Sequence, residues 1–329
     1  MGTFSNNTGV PLSVAVYLAT DHYDYIPNTV SATALLKPTK QYIMGKKRPA
    51  ESVNTTPDIL SMAKSRVGTS IHDGVEKAWS DGRHREAMAS LGYPQDIIDR
   101  VIVNPTPEDL KPDSIPVYME LRSFKEIDGV RVSGKFDFVA EGKVEDFKST
   151  STFAWKSGDK VEDYRLQGSI YRWLNPDIIT RDVMAIQFFF TDWMPGKAKQ
   201  DPTYPQRYTE KLDIALLSLE DTEQYIKTKL ALFERYKDAD EADIPVCTPK
   251  ELWQKSSQFK YYKNPKKMTR STKNYNSLIE AQAHMVKDGS QGVVIEKVGE
   301  VIACRFCQGR FMCKQKDAYL AAGTLQLND

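Results

Sequence analysis

Val130-Arg-Val-Ser-Gly-Lys-Phe-Asp-Phe-Val-Ala140 is followed by Glu141-Gly142 and then by Lys143-Val-Glu-Asp-Phe-Lys148. Two alternating apolar runs around a Gly-containing pair predict a β-hairpin. If Glu141-Gly142 is a two-residue turn, Ala140 faces Lys143 and, in the same register, Asp137 faces Asp146. Directly opposed Cβ atoms lie roughly 4.5–5.5 Å apart, so two carboxylates there repel and weaken the sheet. A divalent cation between them reverses the sign of that interaction. Lys148 lies two residues past Asp146 and projects from the same face, and the Phe147 carbonyl offers a further oxygen. Mg²⁺ or Mn²⁺ prefers such oxygen donors. The ion lowers the pKa of bound water and stabilises charge on phosphoryl oxygens, and a neighbouring ammonium orients the water or the anion. The expectation is metal-assisted phosphodiester hydrolysis. The competing reading is a solvated strand face, because Asp-x-Lys is common. Glu is also a poor first residue for a type I′ turn, and a longer turn would send the carboxylates to opposite faces.

Outward from the hairpin, residues 161–174 carry Leu166, Ile170 and Trp173 on one helical side. Residues 183–193, VMAIQFFFTDW, read as a long strand buried on both faces, and 217–236 as an amphipathic helix. Upstream, Ile59, Leu60, Ala63, Val67, Ile71, Val75 and Trp79 recur at helical spacing. A shorter helix is expected at 83–91, a strand at 117–121 and a helix at 31–45. A polar connector follows at 46–56, and residues 1–30 look irregular around an apolar segment at 12–18. Strands bracketed by helices predict an α/β fold with a central mixed sheet flanked by helices. The expected organisation is an N-terminal extension (1–30), a core (31–240) and a basic, cysteine-containing C-terminal region (241–329).

The hairpin and its surroundings resemble the RecB-like branch of the PD-(D/E)XK nuclease superfamily, with its RecB, AddA and AddB nuclease domains, CRISPR-adaptation nucleases and phage-type exonucleases. Gly134-Lys-Phe-Asp137 resembles the motif of the first metal-binding Asp, and Val144-Glu-Asp146-Phe-Lys148 that of the second acid and the catalytic Lys. Gly68-Thr-Ser-Ile-His72 resembles the helical motif whose His contacts a metal, and Glu120 stands where an upstream acid is often found. Gln167-Gly-Ser-Ile-Tyr171 resembles the Gln-x-x-x-Tyr motif after the core. The resemblance implies a restriction-endonuclease-like core and a divalent-metal-dependent DNA nuclease, with exonuclease action in DNA recombination, repair or viral DNA processing favoured. The implied metal residues are His72, Glu120, Asp137, Asp146 and the Phe147 carbonyl, with Lys148 serving the nucleophilic water and Gln167 and Tyr171 lining the DNA path. A lone His on a patterned helix is otherwise a packed core residue, and imidazole favours Mn²⁺ over Mg²⁺.

Four cysteines are present, and Cys304, Cys307 and Cys313 form a Cys-x-x-Cys-x5-Cys run, with Cys247 a distant fourth. Four thiolates suit a tetrahedral Zn²⁺ or an iron–sulfur cluster, which spacing alone does not separate. The run resembles the C-terminal triplet that holds a [4Fe–4S] cluster in AddB and the CRISPR-adaptation nucleases. There the first cysteine precedes the core, whereas Cys247 follows it. Four reduced, buried thiols are the plain alternative.

The net charge of +1 excludes a uniformly basic DNA binder, so any basic surface is local. Between Glu251 and Tyr275 the net charge is six positive, from Lys255, Lys260, Lys263, Lys266, Lys267, Arg270 and Lys273, interleaved with Trp253, Phe259, Tyr261 and Tyr262. Cations for phosphates and rings for stacking fit a single-strand path; a solvated charge run is the bland counterpart. No run of about 18 apolar residues predicts a membrane span. The N-terminus lacks the basic-then-apolar layout of a signal peptide, and a cytoplasmic protein is expected. Two rivals to the nuclease stand: a DNA-binding protein that has lost catalysis, and a CRISPR-adaptation or iron–sulfur redox partner.

Overall fold

A computed structural model describes residues 4–20, 26–48 and 56–327. In chain order its helices and strands begin with α1 (Leu12–Ala19), β1 (Val30–Ser31), α2 (Ala32–Leu35), α3 (Thr39–Lys46), α4 (Ala63–Ser80), α5 (Arg83–Ser90) and α6 (Gln95–Arg100). Next come β2 (Val101–Val103), β3 (Ile115–Met119), β4 (Arg122–Ile127), β5 (Val130–Lys135), β6 (Phe138–Ala140) and β7 (Lys143–Thr150). Then follow α7 (Thr152–Ser157), α8 (Val161–Leu174), β8 (Val183–Phe190), α9 (Pro195–Gln200), β9 (Thr209–Ala215) and α10 (Leu219–Tyr236). The last are β10 (Gln258–Tyr262), β11 (Lys273–Tyr275), α11 (Leu278–Lys287), β12 (Val293–Lys297) and α12 (Lys314–Ala321). The chain divides into two compact units, Met1–Leu36 with Asn54–Leu230, and Lys37–Val53 with Ala231–Asp329. This division differs from the expected one: the boundary falls inside α10 rather than near 240, and α3 groups with the C-terminal residues.

The first unit is built on a mixed six-stranded sheet, β2-β3-β6-β7-β8-β9, with helices against it. β7 and β8 run parallel, while β6–β7 and β8–β9 are antiparallel. The apolar run in β8 occupies the sheet interior, where Met184, Ile186, Phe188 and Phe190 are buried. Each such side chain contributes roughly 1.5–3 kcal/mol on burial. α8 brings Ile170 and Trp173 into the same core. It comes so near β8 that a Cβ on Gly168 would stand 2.4 Å from the Met184 sulfur.

The Glu141-Gly142 turn is two residues long, with φ of 50° and 75°, the left-handed pair of a type I′ turn. Ala140 pairs with Lys143, Val139 with Val144 and Phe138 with Glu145, the register expected from sequence. The ladder stops at Phe138, so Asp137 lies just outside β6 rather than within one continuous strand over 130–140. β4 and β5 form a second antiparallel ladder around Asp128 and Gly129, also with positive φ, and β1 adds to β5 in parallel. Met119 opposes Phe138 and Arg122 opposes Lys135, which is one shared register. Residues 115–140 are therefore a single long hairpin whose outer arm leaves the main sheet. At the bend Glu120 has φ 50°, the Glu120 N–H donates to the Asp137 carbonyl at 3.1 Å, and the Phe136 N–H to that of Leu121 at 3.3 Å.

Two expectations for the N-terminal part are corrected. Residues 12–19 form a helix, α1, started by Pro11, rather than an irregular segment. The helix expected over 31–45 is two, α2 and α3, because Pro38 cannot continue α2 and disfavours helix at the residue before it. The connector expected at 46–56 lies mostly outside the described residues.

In the second unit β11-β10-β12 form a small antiparallel sheet beside α11. Cys247, Leu252, Val301, Cys304 and Leu325 make a compact apolar cluster. α3 is tied in by the buried Lys40, whose ammonium meets the Glu241 carboxylate at 2.7 Å and donates to the Ile244 carbonyl at 3.3 Å.

Candidate metal centre

α4 carries His72 toward the bend of the long hairpin, where Glu120 and Asp137 stand across from each other. His72 Nδ1 lies 3.6 Å from Glu120 Oε1 and 3.5 Å from Asp137 Oδ1. Among the described residues, His72, Glu120 and Asp137 are the one group that brings three such ligand atoms within 4.8 Å of one another. His72 Nε2 faces the Phe147 carbonyl at 3.2 Å, and the Phe147 N–H donates to Asp137 Oδ2 at 2.8 Å. The peptide of Phe147 thus fixes both the imidazole and the carboxylate. The partner of the second ring nitrogen orients an imidazole, and for His72 that partner is this carbonyl, which the sequence offers as a further oxygen for the ion.

Burial opposes a charge on His72, but hydrogen bonds to Asp137 and Glu120, and their negative charge, outweigh it and push the imidazole pKa up to about 10. An imidazolium between two carboxylates occupies the position a cation would take. Burial would raise the Glu120 pKa, yet His72 and Lys135 together hold it below the usual carboxylate range. Lys135 Nζ forms an ion pair with the outer oxygen of Glu120.

Asp146 is 1% exposed and its carboxylate pairs with Lys148 Nζ. Burial pushes the Asp146 carboxyl up to about 6, with Lys148 pulling it down and Asp137 pushing it up. Burial works against the Lys148 charge, and Asp146 and Asp137 overcome it, so the ammonium stays above its ordinary range. Asp137 shares its group with Glu120 and His72, and Asp146 is engaged by Lys148 because a buried carboxylate needs a counter-charge. The Lys148 ammonium also lies 5.9 Å from the centre of the Tyr164 ring.

Gln167 and Tyr171 lie on α8. Both are buried, Gln167 Nε2 donates to the Tyr171 hydroxyl at 2.7 Å, and burial followed by the charges of Asp146 and Asp137 raises the Tyr171 pKa well above its ordinary value. Lys135 is the residue sequence reasoning missed. The available signal was its register: two positions before Asp137, on the same side of the strand.

The four cysteines lie within electrostatic reach of one another. Burial, then the neighbouring Glu251, Cys307, Cys313 and Cys304, pushes the Cys247 thiol up to about 12. Cys247 and Cys304 share one apolar cluster, and Gln315 holds the backbone of Cys247 through two hydrogen bonds of 2.9 and 2.8 Å. No three of the sulfurs approach within the 4.8 Å seen at His72.

Of the basic residues, Lys255 pairs with Glu300 at 2.9 Å and Lys263 with Asp288 at 2.7 Å. Tyr261 is fully buried with its hydroxyl on Asp288, which removes it from the set able to stack on bases. Lys266, Lys267 and Arg270 are exposed on the β10–β11 loop, while Lys260 and Tyr262 are half-buried in β10.

No family model and no curated protein matches the chain. Several solved structures resemble parts of it, the following two among them. The crystal structure of SSO0001 is 13% identical, covers 70% of this chain and 89% of its own, and gives a TM-score of 0.40. A phage-related exonuclease from Haemophilus somnus 129PT is 16% identical, over 37% of this chain and 60% of that one, with a TM-score of 0.27. At these scores neither likeness bears on the chemistry, which rests on the residues themselves.

Proposed function

We propose that the chain is a divalent-metal-dependent DNA nuclease of PD-(D/E)XK type, RecB-like branch, acting as an exonuclease in DNA recombination, repair or viral DNA processing. The observation that carries the reading is the group His72, Glu120 and Asp137 standing beside the Asp146–Lys148 pair. Exonuclease action and the cellular role rest on the sequence resemblance. Two carboxylates around a charged imidazole fit a dication, which would replace the His72 proton. Mg²⁺ or Mn²⁺ there would supply Lewis acidity and a water of lowered pKa. His72 Nδ1, Glu120 and Asp137 would hold it, with the Phe147 carbonyl keeping the imidazole in position. Lys148 is the ammonium available to a phosphate oxygen or to the attacking water, and Asp146 keeps it charged and aimed. Gln167 and Tyr171, hydrogen-bonded to each other on α8, are the residues that the resemblance puts on the DNA side of Lys148.

The deciding experiment incubates end-labelled linear DNA and circular DNA with Mg²⁺, Mn²⁺ or EDTA. Shortening of linear DNA with either metal, none with EDTA, and loss of activity in Asp146→Ala is expected. Equal activity of Asp146→Ala and the unaltered protein would leave only the non-catalytic DNA-binding reading.

The cysteines are assigned a [4Fe–4S] cluster, or alternatively a structural Zn²⁺, that staples the C-terminal residues. Their sequence spacing and shared neighbourhood support this. Thiolates at about 2.3 Å from a single zinc would have to close in further than the sulfurs here do. Iron and zinc analysis with a visible spectrum decides: brown colour with bound iron supports the cluster, stoichiometric zinc the alternative, and neither metal means four reduced thiols. Lys260, Tyr262, Lys266, Lys267 and Arg270 are proposed to meet DNA.

A further inference from the structure

β7 pairs with β6 only as far as Glu145, and from Asp146 to Thr150 its ladder is with β8. Beyond Lys148 the chain therefore runs on for two residues, about 6.6 Å at the usual strand rise, before it turns into α7. The turn after β8 lies alongside. The Thr191 N–H donates to the Thr150 carbonyl at 2.9 Å, and the Thr152 N–H to Asp192 Oδ1 at 2.7 Å. Lys156 on α7 pairs with Asp201, just past α9, at 2.8 Å. The ends of two adjacent parallel strands, one of them bearing Asp146 and Lys148, thus form a single rim.

That rim displays large apolar side chains that the core does not use. Phe153 is 72% exposed, Met194 51% and Tyr208 56%. Tyr208 is held edge-on to Trp193, with ring centres 6.5 Å apart, and the Trp193 indole donates to the Pro205 carbonyl at 2.9 Å. Its ring is therefore set in place. Lys197 and Lys199 on α9 are exposed beside them. Exposed rings next to lysines suit unpaired nucleobases, whose π-faces are free, with cations for the intervening phosphates. A duplex keeps those faces stacked within itself.

We propose that Phe153, Met194 and Tyr208 form a stacking ledge for the unpaired bases of a DNA strand passing the metal centre, with Lys197 and Lys199 meeting its phosphates. The proposal rests on the nuclease reading for the identity of the ligand and adds a preference for single strands or frayed ends. Phe153 is largely exposed, so its replacement removes little buried area.

The test measures binding of the full chain, in EDTA, to a labelled oligothymidylate and to a blunt duplex of equal length. Stacking on one ring corresponds to a loss of about 5- to 150-fold in single-strand affinity for Phe153→Ala. Phe153→Trp should retain the affinity, and the duplex should respond to neither. A 2-aminopurine base in the strand should be quenched by the unaltered protein and not by Phe153→Ala. Equal single-strand binding by both proteins would overturn the ledge. So would a change of oligomeric state in Phe153→Ala with DNA binding unchanged, which would give the surface to a second copy of the chain. Metal-dependent cleavage is followed on the same preparations. Cleavage without any effect of Phe153 removes the ledge alone, and Phe153-dependent binding without cleavage removes the catalytic reading alone. Failure of the unaltered protein to bind DNA at all overturns both.

Discussion

Metal-free, His72 spends its proton on two carboxylates at once, and this gives it a measurable pH signature. Its pKa of about 10 lies above the ordinary 6.5. A group raised on folding adds stability that is complete below the lower value and is lost as pH climbs through the higher one. Urea unfolding in EDTA should therefore show falling stability between these two values, and His72→Ala should flatten that slope. Parallel pH profiles for the two proteins would remove the proposed pairing. With metal present the sign for binding is opposite: the proton must leave, so affinity for Mn²⁺ should rise with pH over the same window. Glu120→Gln should raise the Mn²⁺ concentration for half-maximal cleavage by at least the roughly 10–100-fold that even the outer partners of metal ligands are worth. A titration of activity against Mn²⁺ checks this, and an unchanged midpoint would take Glu120 out of the ligand set.

Among the elements, the hairpin was the most legible. A side-chain period of two leaves few registers open, and Gly142 marked the turn despite Glu141, which the structure holds in a conformation that Glu disfavours. Replacing that residue in Glu141→Asn should raise the free energy of unfolding by about 1 kcal/mol, because Asn visits the left-handed region readily and Asn-Gly suits a type I′ turn. A denaturant titration with unchanged m value would register it, and a loss of stability would contradict the turn assignment. The bend at Glu120 could not be read. It depends on a left-handed Glu and on where two ladders part, and neither has a composition signal. Helix α8 was readable because Ile170 and Trp173 repeat with its turn. Its Gln167–Tyr171 pair was readable as sharing one face, but spacing does not tell how deeply that face is buried. Tyr261 misled for a similar reason: alternating Lys and Tyr fit a base-stacking strip and a half-buried edge strand equally well.

Across the molecule, positive charge is local. The net charge is +1, and among the described residues no helix is long and apolar enough to cross a membrane. Affinity for a nucleic acid must then come from a few patches, such as Lys266, Lys267 and Arg270 on the exposed β10–β11 loop. Lys266→Gln with Lys267→Gln should weaken single-strand binding and flatten the log–log salt dependence by about 0.7 for each cation that meets a phosphate. An unaltered slope would assign the loop to solvent. The long hairpin of residues 115–140 has a last implication. Its two ladders share one register across the bend, so equal lengthening at the Asp128-Gly129 tip keeps Glu120 opposite Asp137. A tag or extra loop grafted at that tip would leave Glu120 and Asp137 facing each other, whereas one residue inserted on a single side between tip and bend would rotate one acid away from the other.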